Sequence, residues 1–292
     1  MKVKEVQQVL APPPSHMVGD GFRVHNFFPS GYGMSPNRMS PFYLLDYNAK
    51  INFSPREQPR GVGVHPHRGF ETVTIVYHGK VAHHDSRGHH GVIGEGDIQW
   101  MTAASGVLHK EYHEAGFSKK GGEFQVVQLW VNLPAKDKMS EPTYQAIVNE
   151  RIPRYSLPDQ EGWVEVIAGN FKGVEGIART FTPIEMYNIH LQQNGTITFD
   201  LPAAYNTGIL VIQGKVQVNE NDVALADHFI LFKNIGERIP LKAEEETILL
   251  VLSGEPIREP ITAYGPFLMN TKEDILQAFK DLNAGKFGKL ED

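Results

Sequence analysis

Histidine is concentrated in one short stretch of this 292-residue sequence. Nine of the 13 histidines lie between His65 and His113. Imidazole is the commonest metal ligand in proteins, and several imidazoles must converge from a rigid scaffold to bind a transition-metal ion. The stretch therefore predicts a metal site, and the spacing of the histidines indicates which of them can converge.

Two pairs of metal-ligand residues are each spaced two positions apart: His65 with His67, and His109 with Glu111. Side chains two apart on a β-strand project from the same face, so each pair predicts two ligands inside a barrel. Pro66, between the first two, restricts its strand to an edge or irregular position. We predict that these four ligands bind one metal ion. The alternative is that they are surface or hydrogen-bonded side chains that bind no metal.

The elements around these pairs are predicted to be short β-strands. The chain has 28 glycines and 19 prolines spread along its length, which favours many strands joined by turns. Between residues 61 and 133 helical periodicity is absent, and strands are predicted at 70–77, 91–94, 98–101 and 124–131. The predicted fold class is all-β.

The second half of the sequence repeats a feature of the first half. Gly79-Lys80-Val81 is matched one domain length later by Gly214-Lys215-Val216, each after an apolar strand, which predicts a duplicated barrel unless the match is chance. We predict an N-terminal metal-binding barrel at 1–135, a connector at 136–160, and a C-terminal barrel with a helix at 161–292. His65 and His67 lie 14 and 12 residues before Gly79. The same distances before Gly214 fall on Asp200 and Pro202. The second barrel is therefore expected to have no metal ligands.

The end of the chain predicts one amphipathic helix. Thr271 is a candidate N-cap with Asp274 three positions later, and Gly285 follows the helical pattern. The apolar positions at helical spacing are Ile275, Leu276, Phe279 and Leu282. This stripe is expected to pack on a barrel.

Composition excludes several functional classes. The formal charge of −6 and a pI near 6.1 argue against direct nucleic-acid binding. Neither a membrane-length apolar run nor a signal peptide is recognisable, so we expect a cytoplasmic protein without membrane contact. The sequence has no cysteine, and a transition metal would therefore need histidine and carboxylate ligands.

Two longer motifs carry a family resemblance. Residues 61–79, with the two histidines, Glu71 and a final glycine, are similar to the first cupin motif, and residues 96–109 are similar to the second. More narrowly, residues 65–73, 96–103, 129–134 and 265–271 resemble the pirin family. That resemblance implies two jelly-roll cupin barrels in tandem.

The resemblance also bears on the carboxylate ligand. The general cupin pattern would nominate Glu71, which shares strand parity with His67. Pirins instead take the carboxylate two residues after the second-motif histidine, which is Glu111 here, and leave Glu71 a supporting role. Tyr112-His113 departs from the hydrophobic-proline pair often found in pirins, so His113 is open as a fifth ligand or as a change to the pocket.

The remaining histidines of the stretch are expected to be uninvolved in the metal site. His83, His84, His89 and His90 flank Gly88 in a predicted hairpin or exposed loop. A role at the mouth of the cavity stays open for them.

The implied activity is that of a quercetin 2,3-dioxygenase, which opens the central ring of a flavonol with O₂ and releases carbon monoxide. The cofactor would be one divalent transition-metal ion, Fe(II) by family resemblance, with Mn, Ni, Cu and Zn also compatible with the ligands. Glu111 would accept the proton of the substrate hydroxyl as a catalytic residue. Trp100, Met101, Phe53 and Phe124 are predicted to contact the aromatic rings.

A second hypothesis comes from the same resemblance. Pirins are also implied to be regulatory proteins that bind a transcription factor or a metabolic enzyme, with the metal tuning conformation and no turnover. A cupin isomerase or a storage barrel is a third possibility, which leaves the pirin blocks without an explanation.

Overall fold

Strands dominate the computed structural model, which describes residues 1–291. In chain order the strands are β1 (Val6–Leu10), β2 (His16–Val18), β3 (Phe22–Phe28), β4 (Phe42–Phe53), β5 (Gly61–His67), β6 (Phe70–His78), β7 (Val81–Asp85), β8 (His90–Ile93), β9 (Ile98–Thr102), β10 (Val107–His113), β11 (Gly122–Asn132), β12 (Thr143–Ile147), β13 (Arg154–Ser156), β14 (Gly162–Ala168), β15 (Asn170–Phe171), β16 (Val174–Glu175), β17 (Ile184–Leu191), β18 (Thr196–Asp200), β19 (Asn206–Gln213), β20 (Lys215–Val218), β21 (Asp222–Leu225), β22 (Phe229–Phe232), β23 (Arg238–Ala243), β24 (Thr247–Gly254), β25 (Thr262–Tyr264) and β26 (Phe267–Met269). The helices are α1 (Ala115–Lys120) and α2 (Lys272–Asn283), with 3₁₀ turns at Ala135–Asp137, Asn149–Arg151 and Pro158–Gln160. The predicted all-β class is confirmed.

The chain forms two compact units. The histidine-rich unit comprises residues 13–37, 42–149 and 257–291, and the second unit comprises residues 1–12, 38–41 and 150–256. The units thus interleave along the chain, whereas the sequence predicted contiguous domains. Within the predicted connector, β12 pairs with β9 and β13 pairs with β14, so this segment adds one strand to a sheet of each unit. The boundaries 1–135, 136–160 and 161–292 stay a prediction.

The two units share one topology. The histidine-rich unit has a seven-stranded sheet, β12-β9-β6-β11-β4-β3-β2, and a four-stranded sheet, β5-β10-β7-β8. The second unit has the orders β1-β22-β19-β24-β17-β14-β13 and β18-β23-β20-β21, which match strand for strand except at one edge, where β1 from the start of the chain takes the place of β12. Gly79 and Gly214 occupy equivalent turns at φ of +88° and +84°, a backbone region that favours glycine. The predicted duplication is confirmed.

The inner faces of the two four-stranded sheets carry different kinds of side chain. In the histidine-rich unit Glu111 on β10 lies opposite His83 on β7, whereas the equivalent pair in the second unit is Leu241 and Val218. Those two side chains belong to a large buried apolar cluster. Neither side chain has a lone pair for a metal ion. The expectation that the second barrel binds no metal stays a prediction.

The C-terminal helix begins as its sequence predicts. Thr271 accepts a hydrogen bond from the backbone of Asp274, whose side chain accepts one from the Thr271 backbone. Ile275 is buried as expected, but Leu276 is 60% exposed and therefore lies outside the packed stripe. The six-residue helix α1 was missed because it is too short to show periodicity. Among the described residues, no helix combines the length and apolar character of a bilayer span.

Candidate metal centre

The two predicted ligand pairs lie on neighbouring strands. β5 and β10 are antiparallel, and His65 lies directly opposite His109. β5 is the edge strand of its sheet, which agrees with the position expected for Pro66. A register shift after His109 places Glu111 opposite Val62, so the carboxylate stays on the inner face of β10. Strand pairing thus brings both pairs to one region of the barrel.

Three of the predicted imidazoles converge. The ring centroids of His65, His67 and His109 are 4.2 to 4.8 Å apart, and one ligand nitrogen from each lies within 4.8 Å of the others. The Nδ1 atoms of His65 and His67 face the carbonyl oxygens of Gly63 and Pro266 at 2.9 and 3.4 Å. A carbonyl partner favours hydrogen on Nδ1 and leaves the Nε2 lone pair for a metal ion.

The burial and the unpartnered ring nitrogens of His109 fit a bound cation. This side chain is fully buried, and both ring nitrogens lack a hydrogen-bond partner among the described residues. Burial lowers the pKa of His109 and of His67 well below the ordinary value, which keeps both rings neutral. An unpartnered polar atom in the protein interior is unfavourable. A metal ion would coordinate the free lone pair of the neutral His109 ring.

Glu111 is held by side chains from the opposite sheet. Its Oε1 atom accepts a hydrogen bond from Gln99 Nε2 at 3.1 Å and lies 3.2 Å from the Thr74 hydroxyl. The same hydroxyl is 2.6 Å from Gln128 Oε1. These contacts fix the carboxylate and leave its other oxygen available to a cation.

His83 is a candidate ligand that sequence reasoning missed. The residue lies on β7, in the predicted hairpin with β8, and its ring is fully buried, which corrects the expectation that this histidine is exposed. One ligand atom from each of His83, His109 and Glu111 lies within 4.8 Å of the others, and both His83 ring nitrogens lack a hydrogen-bond partner among the described residues. Asp85 lies 3.6 Å from His83 Nε2. No local pattern in the sequence signals this position, because it follows from the pairing of β7 with β10.

Glu71 and His113, the two other candidate ligands, lie away from these side chains. Glu71 points to the opposite face of β6 from Thr74 and accepts a hydrogen bond from Thr102 at 2.7 Å, and burial raises its pKa to about 7. The parity argument failed there because Gly69, at φ +90°, separates β5 from β6. His113 Nε2 donates a hydrogen bond to the backbone oxygen of Gly21 at 2.8 Å, and its ring packs among phenylalanine side chains.

The ligand groups open onto a cavity of about 360 Å³ in the histidine-rich unit. Small-molecule pockets begin at about 300 Å³, so the space suits one small aromatic ligand. Its apolar wall includes Val18, Phe22, Val24, Val62, Val126 and Trp130. Its polar wall includes Asp46, His65, His67, Glu111 and Gln128. Metal-ligand side chains therefore line one part of a mostly apolar slot.

The predicted aromatic lining was wrong in its members. Trp100 lies on the opposite face of the sheet from Thr74, and Met101 packs in a separate cluster. Phe53 and Phe124 pack against the ring of His113. Trp130 lines the cavity instead, and alternation along β11 was the signal that could have found it.

Fold and site together define a two-barrel cupin with a cluster of metal-ligand residues in one barrel. The Pirin family matches residues 21–131, and the Pirin C-terminal cupin domain matches residues 186–288. The chain belongs to the pirin family, and the family resemblance of its sequence is confirmed.

Individual relatives cover nearly all of the chain. A crystal structure of quercetin 2,3-dioxygenase from Acinetobacter baumannii is 44% identical with a TM-score of 0.93, over 99% of this chain and 100% of that one. The Pseudomonas aeruginosa protein called "Putative quercetin 2,3-dioxygenase PA2418" is 46% identical over 98% of this chain and 99% of its own length. A pirin-like protein of Solanum lycopersicum is 36% identical over 86% and 82%.

Proposed function

We propose that this chain is a metal-dependent dioxygenase that acts on a flavonol or a similar aromatic enol. His65, His67, His109 and Glu111 would bind one divalent ion, with Fe(II) as the ion used in turnover. The observation that carries the proposal is a group of converging imidazoles, which includes the fully buried His109 with its unpartnered ring nitrogens, beside a mostly apolar cavity. The names of two close relatives support the same activity.

The chemistry divides between the ion and the protein. The bound ion supplies a Lewis acid and a template that favour the deprotonated enol of the substrate. Trp130 and Phe22 hold the aromatic rings in the apolar slot and exclude water from it. Trp130 is itself fixed by stacking on Phe70, with ring centroids 4.1 Å apart. Glu111 accepts the hydroxyl proton on the second lone pair of the oxygen that Gln99 and Thr74 leave free, so that the same oxygen can also contact the ion.

Oxygen uptake tests the proposal. Iron-loaded protein is expected to consume O₂ in the presence of quercetin and to release carbon monoxide. His65→Ala and Glu111→Ala are expected to reduce the rate at least about 100-fold, because each removes a ligand that positions the ion and substrate. His90→Ala removes an exposed imidazole from the same sheet and serves as the matched control, with an unchanged rate.

A rate no higher than that of free Fe(II) would contradict the dioxygenase. It would favour the regulatory hypothesis, in which the same ligands bind a metal without turnover.

A further inference from the structure

A row of polar side chains crosses the inner face of the seven-stranded sheet in the histidine-rich unit. Neighbouring strands place opposite one another Gln99 on β9, Thr74 on β6, Gln128 on β11, Asp46 on β4 and Asn26 on β3. Residues directly opposite each other share a face of a sheet. Gln99 and Thr74 contact Glu111, so the row starts at a proposed ligand and continues along the cavity.

Asp46 is the carboxylate at the far part of this row. Its Oδ1 atom accepts a hydrogen bond from Asn26 Nδ2 at 2.7 Å, which leaves Oδ2 for a ligand. Asp46 lines the same cavity as Phe22 and Val24. Burial raises the pKa of Asp46 above its ordinary value, as expected of a carboxyl that has lost water contacts.

The position of Asp46 suggests a role in recognition. No salt bridge joins Asp46 to a lysine or arginine within residues 1–291. Asn26 satisfies one oxygen of Asp46 and His16 is its charged neighbour, so Oδ2, on a mostly apolar wall, still gains from a further donor. A hydroxyl group of a bound ligand would supply that donor, and such a bond to a charged acceptor is stronger than a neutral one.

We infer that Asp46 accepts a hydrogen bond from a hydroxyl on the part of the substrate farthest from the metal centre. This inference rests on the proposed function. Asp46 lies two strands away from Thr74, which is roughly 10 Å at the usual strand spacing. A flavonol that coordinates the ion through its enol extends a comparable distance to a hydroxyl on an outer ring. Asp46 therefore selects flavonols hydroxylated at that far end.

Binding to zinc-loaded protein tests this without turnover, since zinc has no redox chemistry. The ligands are 3-hydroxyflavone, 3,4′-dihydroxyflavone and 3,7-dihydroxyflavone, measured by calorimetry. Wild-type protein is expected to bind at least one dihydroxy compound about tenfold or more tightly than 3-hydroxyflavone. Asp46→Ala is expected to abolish that preference, and the isosteric Asp46→Asn to reduce it. Val126→Ala, which changes only the apolar wall, is the matched control and should weaken all three ligands alike.

Equal affinity of wild-type protein for all three flavonols would overturn the inference and leave the proposed function intact. The same holds if the preference survives Asp46→Ala. Failure of every flavonol to bind would overturn the proposed function itself, so the two failures are distinguishable. The wild-type comparison needs no variant, and a folding defect in one therefore cannot mask the result.

Discussion

His109 belongs to both ligand groups in the barrel, one with His65 and His67 and the other with His83 and Glu111. Its fully buried ring lies between strands that carry the other members. A metal ion bound by either group would therefore depend on this imidazole. His65 and His83 each belong to only one of the two groups.

Single alanine variants should separate these roles. His109→Ala is expected to abolish tight cobalt(II) binding, because it removes a ligand from both groups. His65→Ala removes a proposed ligand and is expected to weaken binding by at least about 100-fold, whereas His83→Ala, beside His109 and Glu111 but outside the four proposed ligands, is expected to weaken it by about tenfold. Titration followed by the visible absorbance of cobalt measures the affinities. Wild-type affinity in His83→Ala would contradict a role for that side chain.

Thr74 offers a test of the side chains that position Glu111. Thr74→Val keeps the shape but removes the hydroxyl between Glu111 and Gln128, and we expect about a tenfold loss of metal affinity. Thr72→Val is the matched control, because the Thr72 hydroxyl lies on the same strand and has no hydrogen-bond partner among the described residues. Equal effects of the two variants in the cobalt titration would contradict the positioning role.

At the scale of elements, the sequence predicted what one strand can determine. His109 and Glu111 share a face because they are two apart on β10, and that prediction holds. His83 reaches the same site only because β7 pairs with β10 across a long stretch of chain, which no local pattern encodes. Glu71 shares sequence parity with His67 but lies on the other face, because parity does not carry through the turn at Gly69.

That turn makes a prediction about stability. A Cβ atom at Gly69 would lie 2.1 Å from the backbone oxygen of Leu268, and its φ is +90°. Gly88 has φ +89° with nothing within 4 Å, so Gly88→Ala isolates the backbone strain, about 1 to 2 kcal/mol. Gly69→Ala is expected to lower the free energy of unfolding by more than this in urea titrations. Equal losses would show that the close approach to Leu268 has no effect.

At the scale of the histidine-rich unit, a buried ion pair joins α2 to Arg68, the residue that follows β5. Arg68 Nη1 lies 2.9 Å from Asp281 Oδ2, and Lys286 and Gln277 also contact this carboxylate. Lys286 first, then Arg68 and Gln277, hold the pKa of Asp281 down from 3.8 to about 2. The pair is thus expected to make stability depend on acid.

The sign follows from a depressed pKa. The stabilisation by Asp281 is present above about pH 4 and is lost as the pH falls through about 2. Asp281→Asn should therefore show a shallower fall in the free energy of unfolding between pH 4 and pH 2 than wild-type protein. Glu273→Gln, an exposed position on the same helix, is the control and should keep the wild-type slope. An unchanged slope in Asp281→Asn would contradict this assignment.

The central claim for the whole molecule is that one ion binds inside the first barrel. The most direct measurement is anomalous diffraction from crystals of metal-loaded protein at the absorption edge of the metal. We predict one dominant peak about 2.1 Å from a nitrogen of His65, His67 and His109, with a Glu111 oxygen in the same shell. A peak confined to the half-buried His84 and the exposed His90, or no peak in the barrel, would contradict the account.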